Sequence, residues 1–238
     1  LGLDPGTAVE AVAPDGTVAA TGEADEQGAV LFRELTPGDG WRITAGDETS
    51  DELTVASPDD VPDPSLYTEQ QTLLPEDGGF GYIVTRDGTT LSANVILPGP
   101  AEDGPYPTVV EYSGYAPSDP GSSAFAQLYT LQGFAYVGVN MRGTGCSGGS
   151  YRFFETVQSL DGYDVIEAVA AQPWVLNHKV GMVGISYPGI SQLFVAATQP
   201  PSLAAVTPLS VLDDSYRSTL YPGGMLNTGF AVEWTAQR

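Results

Sequence analysis

The chain has 238 residues, of which 42% are hydrophobic, so it can bury a sizeable core and is not intrinsically disordered. Thirty Asp and Glu residues against eight Lys and Arg give a net charge of −22. Such a surface repels phosphate backbones and anionic lipid, which argues against nucleic-acid and membrane-surface binding. No apolar run approaches the roughly 20 residues that a membrane span requires.

The single cysteine, Cys146, cannot form a disulfide within the chain, and nothing in its Gly-rich turn marks an activated thiol. We interpret it as a small packed residue. The chain begins at Leu1 rather than Met, which suggests a trimmed N-terminus from which a signal peptide has been removed. We therefore expect a secreted or cell-envelope protein, with the cytoplasm as the alternative.

Residues 1–57 predict a separate all-β module. Short alternating runs are separated by turns rich in Gly, Pro and Asp: Ala8–Val12, Val18–Thr21, Ala29–Phe32 and Trp41–Thr44. This spacing is typical of a small β-sandwich. The stretch from Ala24 to Phe32, followed by Leu35-Thr36-Pro37-Gly38, resembles the transthyretin-like or carboxypeptidase-regulatory-like modules of secreted proteins. The resemblance implies a packing or adhesion role.

Residues 58–77 predict an acidic, Pro-rich linker between two domains. Three prolines and three aspartates fall between Pro58 and Pro64, a composition typical of a stiff, solvated segment. The aspartates lack the spaced ligands and the glycine of a calcium loop, so we do not expect a metal site here.

Residues 78–238 predict strands that alternate with helices. The predicted strands are Tyr82–Thr85 and Leu91–Leu97, joined as a hairpin around Asp87-Gly88, followed by Thr108–Tyr112, Ala135–Asn140, Lys179–Gly184 and Leu203–Val211. The predicted helices are Ala124–Gln132, Leu160–Ala171 and Pro188–Thr198. This order implies a mainly parallel sheet that helices cover on both faces.

The segment Val180–Ile190 carries the chemistry. A buried strand runs into Ser186 and a helix leaves at once, which is the pattern of a nucleophile elbow. Gly184 leaves room for the strained backbone, Gly189 lets the helix approach the strand, and Pro188 occupies the first helical turn. The usual pattern is G-x-S-x-G, whereas here proline stands at the last position and the glycine follows it. Taken alone, the motif also fits a Gly-rich turn with an idle serine.

Several further segments occur in order along the chain: Arg142–Gly149, Asp161–Glu167, Gln172–Trp174, Lys179–Tyr187 and Tyr221–Gly224. Together they resemble the Xaa-Pro dipeptidyl-peptidase and cocaine-esterase (CocE/NonD-type) family of serine hydrolases, from about residue 80 to the end. The resemblance implies an α/β-hydrolase domain at 78–238, incomplete at its C-terminus, that hydrolyses esters, amides or Xaa-Pro peptides. It implies no metal and no organic cofactor.

The resemblance also assigns catalytic roles. Ser186 matches the nucleophile, and the backbone N–H of Tyr187 matches one oxyanion donor. The second donor in the family is a tyrosine hydroxyl just after the strand that corresponds to Thr108–Tyr112, and Tyr115 fits by position. Gly114 departs from the proline that family members often have before this tyrosine, and Tyr112 is the competing candidate. A phenol hydroxyl suits the role because it is a neutral, directional donor.

A base for Ser186 is not evident in the chain. His178 is the only histidine, and the strand that separates it from Ser186 should place it near the opposite edge of the sheet. Other polar residues near the predicted sheet are interpreted as turn, capping or structural groups: Asp213, Asp214, Arg142 and Asp164. In the family the acid and then the histidine follow later. We therefore expect both on a C-terminal remainder of the same protein, cut or truncated after Arg238 and still bound to this part.

Two functions from different classes fit the sequence. The first is a serine hydrolase that cleaves a small-molecule ester or amide, or a peptide, through an acyl-enzyme on Ser186. The second is a catalytically inactive binding or adhesion protein that keeps the fold without the chemistry.

Overall fold

A computed structural model describes residues 3–26, 28–121 and 124–236. The chain divides into two compact units, Leu1–Val61 and Pro62–Arg238.

The first unit is an antiparallel sheet. Its strands are β1 (Ala8–Val12), β2 (Val18–Glu23), β3 (Gly38–Ala45), β4 (Glu48–Thr49) and β5 (Leu53–Val55). They lie in the order β2-β1-β3-β4, and β5 pairs with the first half of β3. Its buried apolar side chains are Val9, Ala11, Ala24 and Trp41. The predicted all-β module is confirmed, and its described strands form one five-stranded sheet.

The prediction of a strand at Ala29–Phe32 is wrong, because this segment has no regular structure. A Cβ atom added to Gly22 of β2 would lie 2.8 Å from the side chain of Val30 and 3.5 Å from that of Phe32. The alternating apolar residues therefore pack over the face of β2 at this glycine. Their alternation has the period of a β-strand, although the segment does not pair with a strand of the sheet.

Most of the predicted linker 58–77 belongs to the second unit. Residues Ser65–Thr68 form a short helix, α1, and Gln71–Leu73 form a helical turn. Tyr67 and Leu74 are buried in the core, and the Tyr67 hydroxyl donates to Asp164 at 2.7 Å. Apolar burial thus holds a segment that composition alone marks as solvated.

The second unit is built on a six-stranded sheet. Its strands are β6 (Gly79–Val84), β7 (Thr90–Ile96), β8 (Tyr106–Ser113), β9 (Ala135–Asn140), β10 (Val175–Ile185) and β11 (Leu203–Leu209). The order is β11-β10-β8-β9-β7-β6. The four strands β8 to β11 are parallel, whereas β7 runs antiparallel to β9 and β6 to β7. The predicted hairpin and the mainly parallel sheet are confirmed.

Helices cover both faces of this sheet, as predicted. They are α2 (Ala124–Thr130), α3 (Thr156–Ala170) and α4 (Tyr187–Ala197). A further helix that was not predicted, α5 (Phe230–Ala236), follows along the chain. Further helical turns lie at Ala101–Asp103, Tyr216–Leu220 and Pro222–Gly224. Side chains of α3 and α4 pack on Tyr112 and Met182, whereas α2 packs on Val109 and Tyr136 of the other face. No helix within the described ranges is both long and apolar enough to cross a bilayer.

Two buried ion pairs fasten α3 to the sheet. Arg142 donates two hydrogen bonds of 2.6 Å to Asp161 and one of 2.9 Å to Asp87. Arg86 binds Asp164, which also accepts the hydroxyl of Tyr67. The paired arginines and hydrogen bonds compensate the burial of these carboxylates. Arg142 and Asp164 thus act within the scaffold, as the sequence indicates.

Candidate active site

Ser186 stands at a sharp turn between β10, which ends at Ile185, and α4, which begins at Tyr187. Its φ of 66° and ψ of −121° fall in a region that residues with a side chain rarely adopt. Such a conformation costs on the order of 1–3 kcal/mol, so the surrounding packing must hold it. The Ser186 N–H contributes by donating to the carbonyl of Leu209 on β11 at 2.9 Å.

The two glycines beside Ser186 are required by close contacts. A Cβ atom on Gly184, whose φ is +145°, would lie 2.5 Å from Cβ of Pro188. A Cβ atom on Gly189 would overlap the carbonyl oxygen of Leu209. The strand, turn and helix therefore have the close geometry of a nucleophile elbow.

Tyr187 presents its backbone N–H next to this serine. As the first residue of α4, its N–H has no partner within the helix. The side chain is 1% exposed, its ring stacks on Phe154 with 4.5 Å between centroids, and its hydroxyl lies 3.4 Å from Oε1 of Gln158. Burial, the largest influence, raises the pKa of Tyr187 to about 12. The buried ring fixes the residue that carries the N–H.

The structure separates the two candidate tyrosines. The hydroxyl of Tyr115, two residues beyond the end of β8, lies 3.4 Å from Oγ of Ser186. Tyr112, 1% exposed, donates its hydroxyl to the carbonyl of Gln158 at 2.9 Å on the α3 face. Burial raises the pKa of Tyr112 well above its ordinary value. Tyr115, Ser186 and Tyr187 therefore come together, and Tyr112 is engaged elsewhere.

Gly114, where family members often have proline, lies under an aromatic ring. A Cβ atom on Gly114 would lie 2.9 Å from the ring and hydroxyl of Tyr151. Tyr151 in turn packs near Tyr187, with 6.1 Å between ring centroids. The small residue before Tyr115 lets Tyr151 approach the site.

A cavity of about 280 Å³ opens beside Ser186. Its lining is mainly apolar and aromatic: Tyr115, Phe153, Phe154, Tyr187, Ile190, Leu212, Leu220, Phe230, Ala231 and Trp234, with the hydroxyl residues Ser186, Ser210, Ser215, Thr219 and Thr235. Trp234 of α5 packs on Phe153 at 5.2 Å and near Tyr187 at 6.0 Å between centroids. No sequence motif predicted these aromatic residues. The one local signal is the cluster of aromatic residues at 151–154, and none marks Phe230 or Trp234.

Other candidate residues lie apart from this cavity. His178 is on the first half of β10, before Val180, and its Nδ1 lies 2.8 Å from the carbonyl of Ala170. Asp214 accepts both the backbone N–H and the guanidinium of Arg217, and Asp213 accepts the hydroxyl of Ser218. These bonds make the two acids local capping groups, as predicted.

The prediction that Cys146 is packed is wrong, because its side chain is exposed. It lies in a turn closed by hydrogen bonds from Gly143 to Gly148 and from Ser147 to Thr144. The turn is also fastened to β7, since the Gly148 N–H donates to the carbonyl of Thr90 at 2.8 Å, and the thiol is left outside. The described ranges contain no group of three or more His, Cys, Asp or Glu side chains that could hold a metal ion.

The family described as X-Pro dipeptidyl-peptidase (S15 family) matches residues 87–238, which is more than half of the chain and includes Tyr115 and Ser186. The chain belongs to this family. The resemblance inferred from the sequence motifs is thereby confirmed.

Relatives within the family agree in sequence and fold. A cocaine esterase of Rhodococcus is 29% identical over 156 residues, which is 63% of this chain and 26% of the esterase. A CocE/NonD family hydrolase of Staphylococcus aureus superposes with a TM-score of 0.61 and 30% identity, over 66% of this chain and 31% of that one. An α-amino acid ester hydrolase gives a TM-score of 0.53 and 25% identity, over 60% and 26%. The predicted α/β-hydrolase fold is confirmed, and the chain spans less than a third of each relative.

Proposed function

We propose that this chain carries the nucleophile and the oxyanion donors of a serine hydrolase that cleaves esters through an acyl-enzyme. The observation that carries the proposal is the placement of the strained Ser186 within 3.4 Å of the Tyr115 hydroxyl, at the mouth of an aromatic cavity. Strain at a non-glycine residue between a strand and a helix is characteristic of sites where a side chain must be presented.

In the proposed reaction, Oγ of Ser186 attacks the carbonyl carbon of the ester and its proton passes to a base. The carbonyl oxygen becomes an oxyanion, which accepts hydrogen bonds from the Tyr187 backbone N–H and the Tyr115 hydroxyl. The C–O bond to the alcohol then breaks, and the base returns the proton to the leaving alcohol. Water attacks the acyl-enzyme and gives its proton to the base, after which the carboxylic acid leaves and Oγ of Ser186 takes the proton back. His178, the one histidine in the sequence, lies in the first half of β10, whereas Ser186 follows the last residue of that strand, so we assign the base to a group other than His178.

The cavity supports an ester with a bulky apolar or aromatic acyl group. An apolar cavity of about 150 Å³ is enough to hold a benzene molecule, so 280 Å³ accommodates a ring together with the acyl carbon. Rings of Phe154 and Trp234 line the cavity and can contact such a group. Two of the relatives are esterases by name, which favours an ester over a peptide.

A fluorophosphonate probe tests the proposal, because it reacts with an activated serine and leaves an idle one unmodified. In the protein expressed from its complete reading frame, we expect one label on Ser186, and ester turnover reduced more than about 10³-fold by Ser186→Ala. Ser202→Ala is the matched control, since Ser202 precedes β11 and bonds to Glu167. An unlabelled Ser186 together with no ester turnover would leave a non-catalytic binding protein as the better description. Turnover within about tenfold of the parent in Ser186→Ala would show instead that Ser186 is not the nucleophile.

A further inference from the structure

The backbone of Tyr115 is held at both ends by buried polar side chains. Its N–H donates to Oγ of Ser113 at 3.0 Å, and its carbonyl accepts from Nδ2 of Asn140 at 2.8 Å. Ser113 is 0% exposed and Asn140 1% exposed, so water does not compete for either bond. Two such bonds fix the backbone of Tyr115 and with it the direction in which the phenol points.

Asn140 is the last residue of β9 and pairs in register with Ser113, the last residue of β8. Its Oδ1 accepts the backbone N–H of Ser118 at 3.0 Å and the hydroxyl of Ser118 at 2.7 Å. Its Nδ2 donates to the Tyr115 carbonyl and also to Oγ1 of Thr144 at 3.1 Å. The amide oxygen thus faces two donors and the amide nitrogen faces two acceptors, so only one orientation of the Asn140 amide satisfies all four bonds.

Close packing keeps this amide in place. A Cβ atom added to Gly145, whose φ is +57°, would lie 2.6 Å from Nδ2 of Asn140. The absence of a side chain at Gly145 leaves room for the amide, and the Gly145 backbone packs close against it. Asn140 does not itself line the cavity, and the lining residue to which its amide bonds is Tyr115, so its effect on the reaction passes through Tyr115.

We propose that Asn140 is a positioning residue for the oxyanion hole: it fixes the Tyr115 carbonyl and so keeps the phenol beside Ser186. The inference rests on the proposed function, in which the Tyr115 hydroxyl stabilises the oxyanion. A displacement of about 1 Å at a catalytic group can cost on the order of 10² in rate. Losing the amide donor should therefore lower kcat and leave substrate binding nearly unchanged.

The test is Asn140→Asp, which keeps the size of the side chain and the acceptor for Ser118 but removes the donor to Tyr115. In the protein expressed from its complete reading frame, with an aryl ester as substrate, we expect kcat to fall about 10- to 100-fold and KM to change less than about threefold. In a Tyr115→Phe background, Asn140→Asp should cost less than about threefold, because the hydroxyl that it positions is already gone.

Thr144→Val is the matched control, because it removes the other bond of the same Nδ2 without touching Tyr115. We expect its kcat to stay within about threefold of the parent. Two results would show a general disturbance of the fold and overturn the proposal. One is a kcat loss from Asn140→Asp that is as large in the Tyr115→Phe background as in the parent, and the other is a kcat loss in Thr144→Val equal to that in Asn140→Asp. If Asn140→Asp does not fold, Ser113→Ala replaces it, because it removes the acceptor of the Tyr115 N–H. Its loss in kcat must likewise shrink to less than about threefold in the Tyr115→Phe background.

A crystal structure of the Asn140→Asp variant separates this inference from the proposed function. If Ser186→Ala retains turnover, the proposed function fails. The position of the Tyr115 ring in the Asn140→Asp structure still tests whether Asn140 positions that ring. A hydroxyl displaced by more than about 1 Å from its place beside Ser186 supports a positioning role. A ring that has not moved contradicts it.

Discussion

At the scale of single residues, position relative to the end of a strand decides which tyrosine lies beside Ser186. Tyr112 lies within β8 and turns its ring toward α3, where its hydroxyl is bound to Gln158. Tyr115 lies beyond the strand, where the chain is free to bring its hydroxyl to Ser186. The two residues are three apart in sequence but belong to different environments.

This difference predicts opposite results for two conservative substitutions. Tyr115→Phe removes the hydroxyl that we propose as an oxyanion donor, and we expect kcat to fall on the order of 10²–10³-fold with little change in KM. Tyr112→Phe removes a core hydrogen bond, and we expect lower stability by about 1 kcal/mol with near-normal kcat. Steady-state kinetics and urea unfolding of both variants make the comparison, and a larger kcat loss in Tyr112→Phe would transfer the role to Tyr112.

At the scale of elements, a charged network joins the hairpin β6–β7 to the turn after β9. Asp87, in the hairpin turn, accepts Arg142 at 2.9 Å, and Arg142 also binds Asp161 of α3. Burial tends to raise the pKa of Asp87, but the hydroxyl of Thr85 and the charge of Arg142 outweigh it and lower the pKa to about 2. The ionised carboxylate is therefore favoured in the folded state.

Because the pKa of Asp87 is lower in the folded state than its unfolded value of 3.8, the ionised carboxylate stabilises the fold at pH values above 3.8. This stabilisation is lost as the pH falls toward about 2. We expect Asp87→Asn to be less stable than the parent at pH 7, with a difference that shrinks between pH 4 and about pH 2. The side chain is 42% exposed, so solvent screening limits the effect to about 1 kcal/mol.

Urea unfolding at several pH values measures the effect of Asp87→Asn. Asp77→Asn is the control, since Asp77 is an exposed acid just before β6. A difference between Asp87→Asn and the parent that does not vary with pH would mean that the ion pair with Arg142 contributes nothing to stability.

At the scale of the whole molecule, the chain consists of two units that meet at Val61 and Pro62. The residues before this boundary are exposed: Asp59, Asp60 and Val61, the last at 74%. Exposed segments between compact units are preferred sites of proteolytic cleavage.

We expect a protease specific for Asp and Glu to make its first cut after Asp59 or Asp60 and to leave both units folded. Asp59→Asn combined with Asp60→Asn should slow that cut, whereas Glu102→Gln combined with Asp103→Asn, on an exposed turn of the second unit, should not. N-terminal sequencing and mass measurement of the first fragments identify the cut. First cuts inside 62–77 would contradict the packing of that segment through Tyr67.

Contiguous patterns in the sequence were enough to predict the six strands of the second sheet, the helices α2 to α4 and the elbow, but not α5. The strands follow from apolar residues two positions apart, the helices from apolar residues three to four positions apart, and Ser186 with its glycines lies within one short segment. Their bounds differ by a few residues from those predicted, as when α3 begins at Thr156 rather than Leu160. The motifs in this region also sufficed to identify the family.

Only the tertiary structure decided which distant residues complete the site. The choice of Tyr115 over Tyr112 depends on where β8 ends beside β10, and the cavity joins Phe153 to Trp234, far apart in the chain. The docking of residues 62–77 depends likewise on Tyr67 meeting Asp164, 97 positions later. Local patterns show which side of a helix or strand is apolar, but they do not show which distant segment packs against that side. Contacts between distant segments arise when the sheet and its helices bury their apolar faces together.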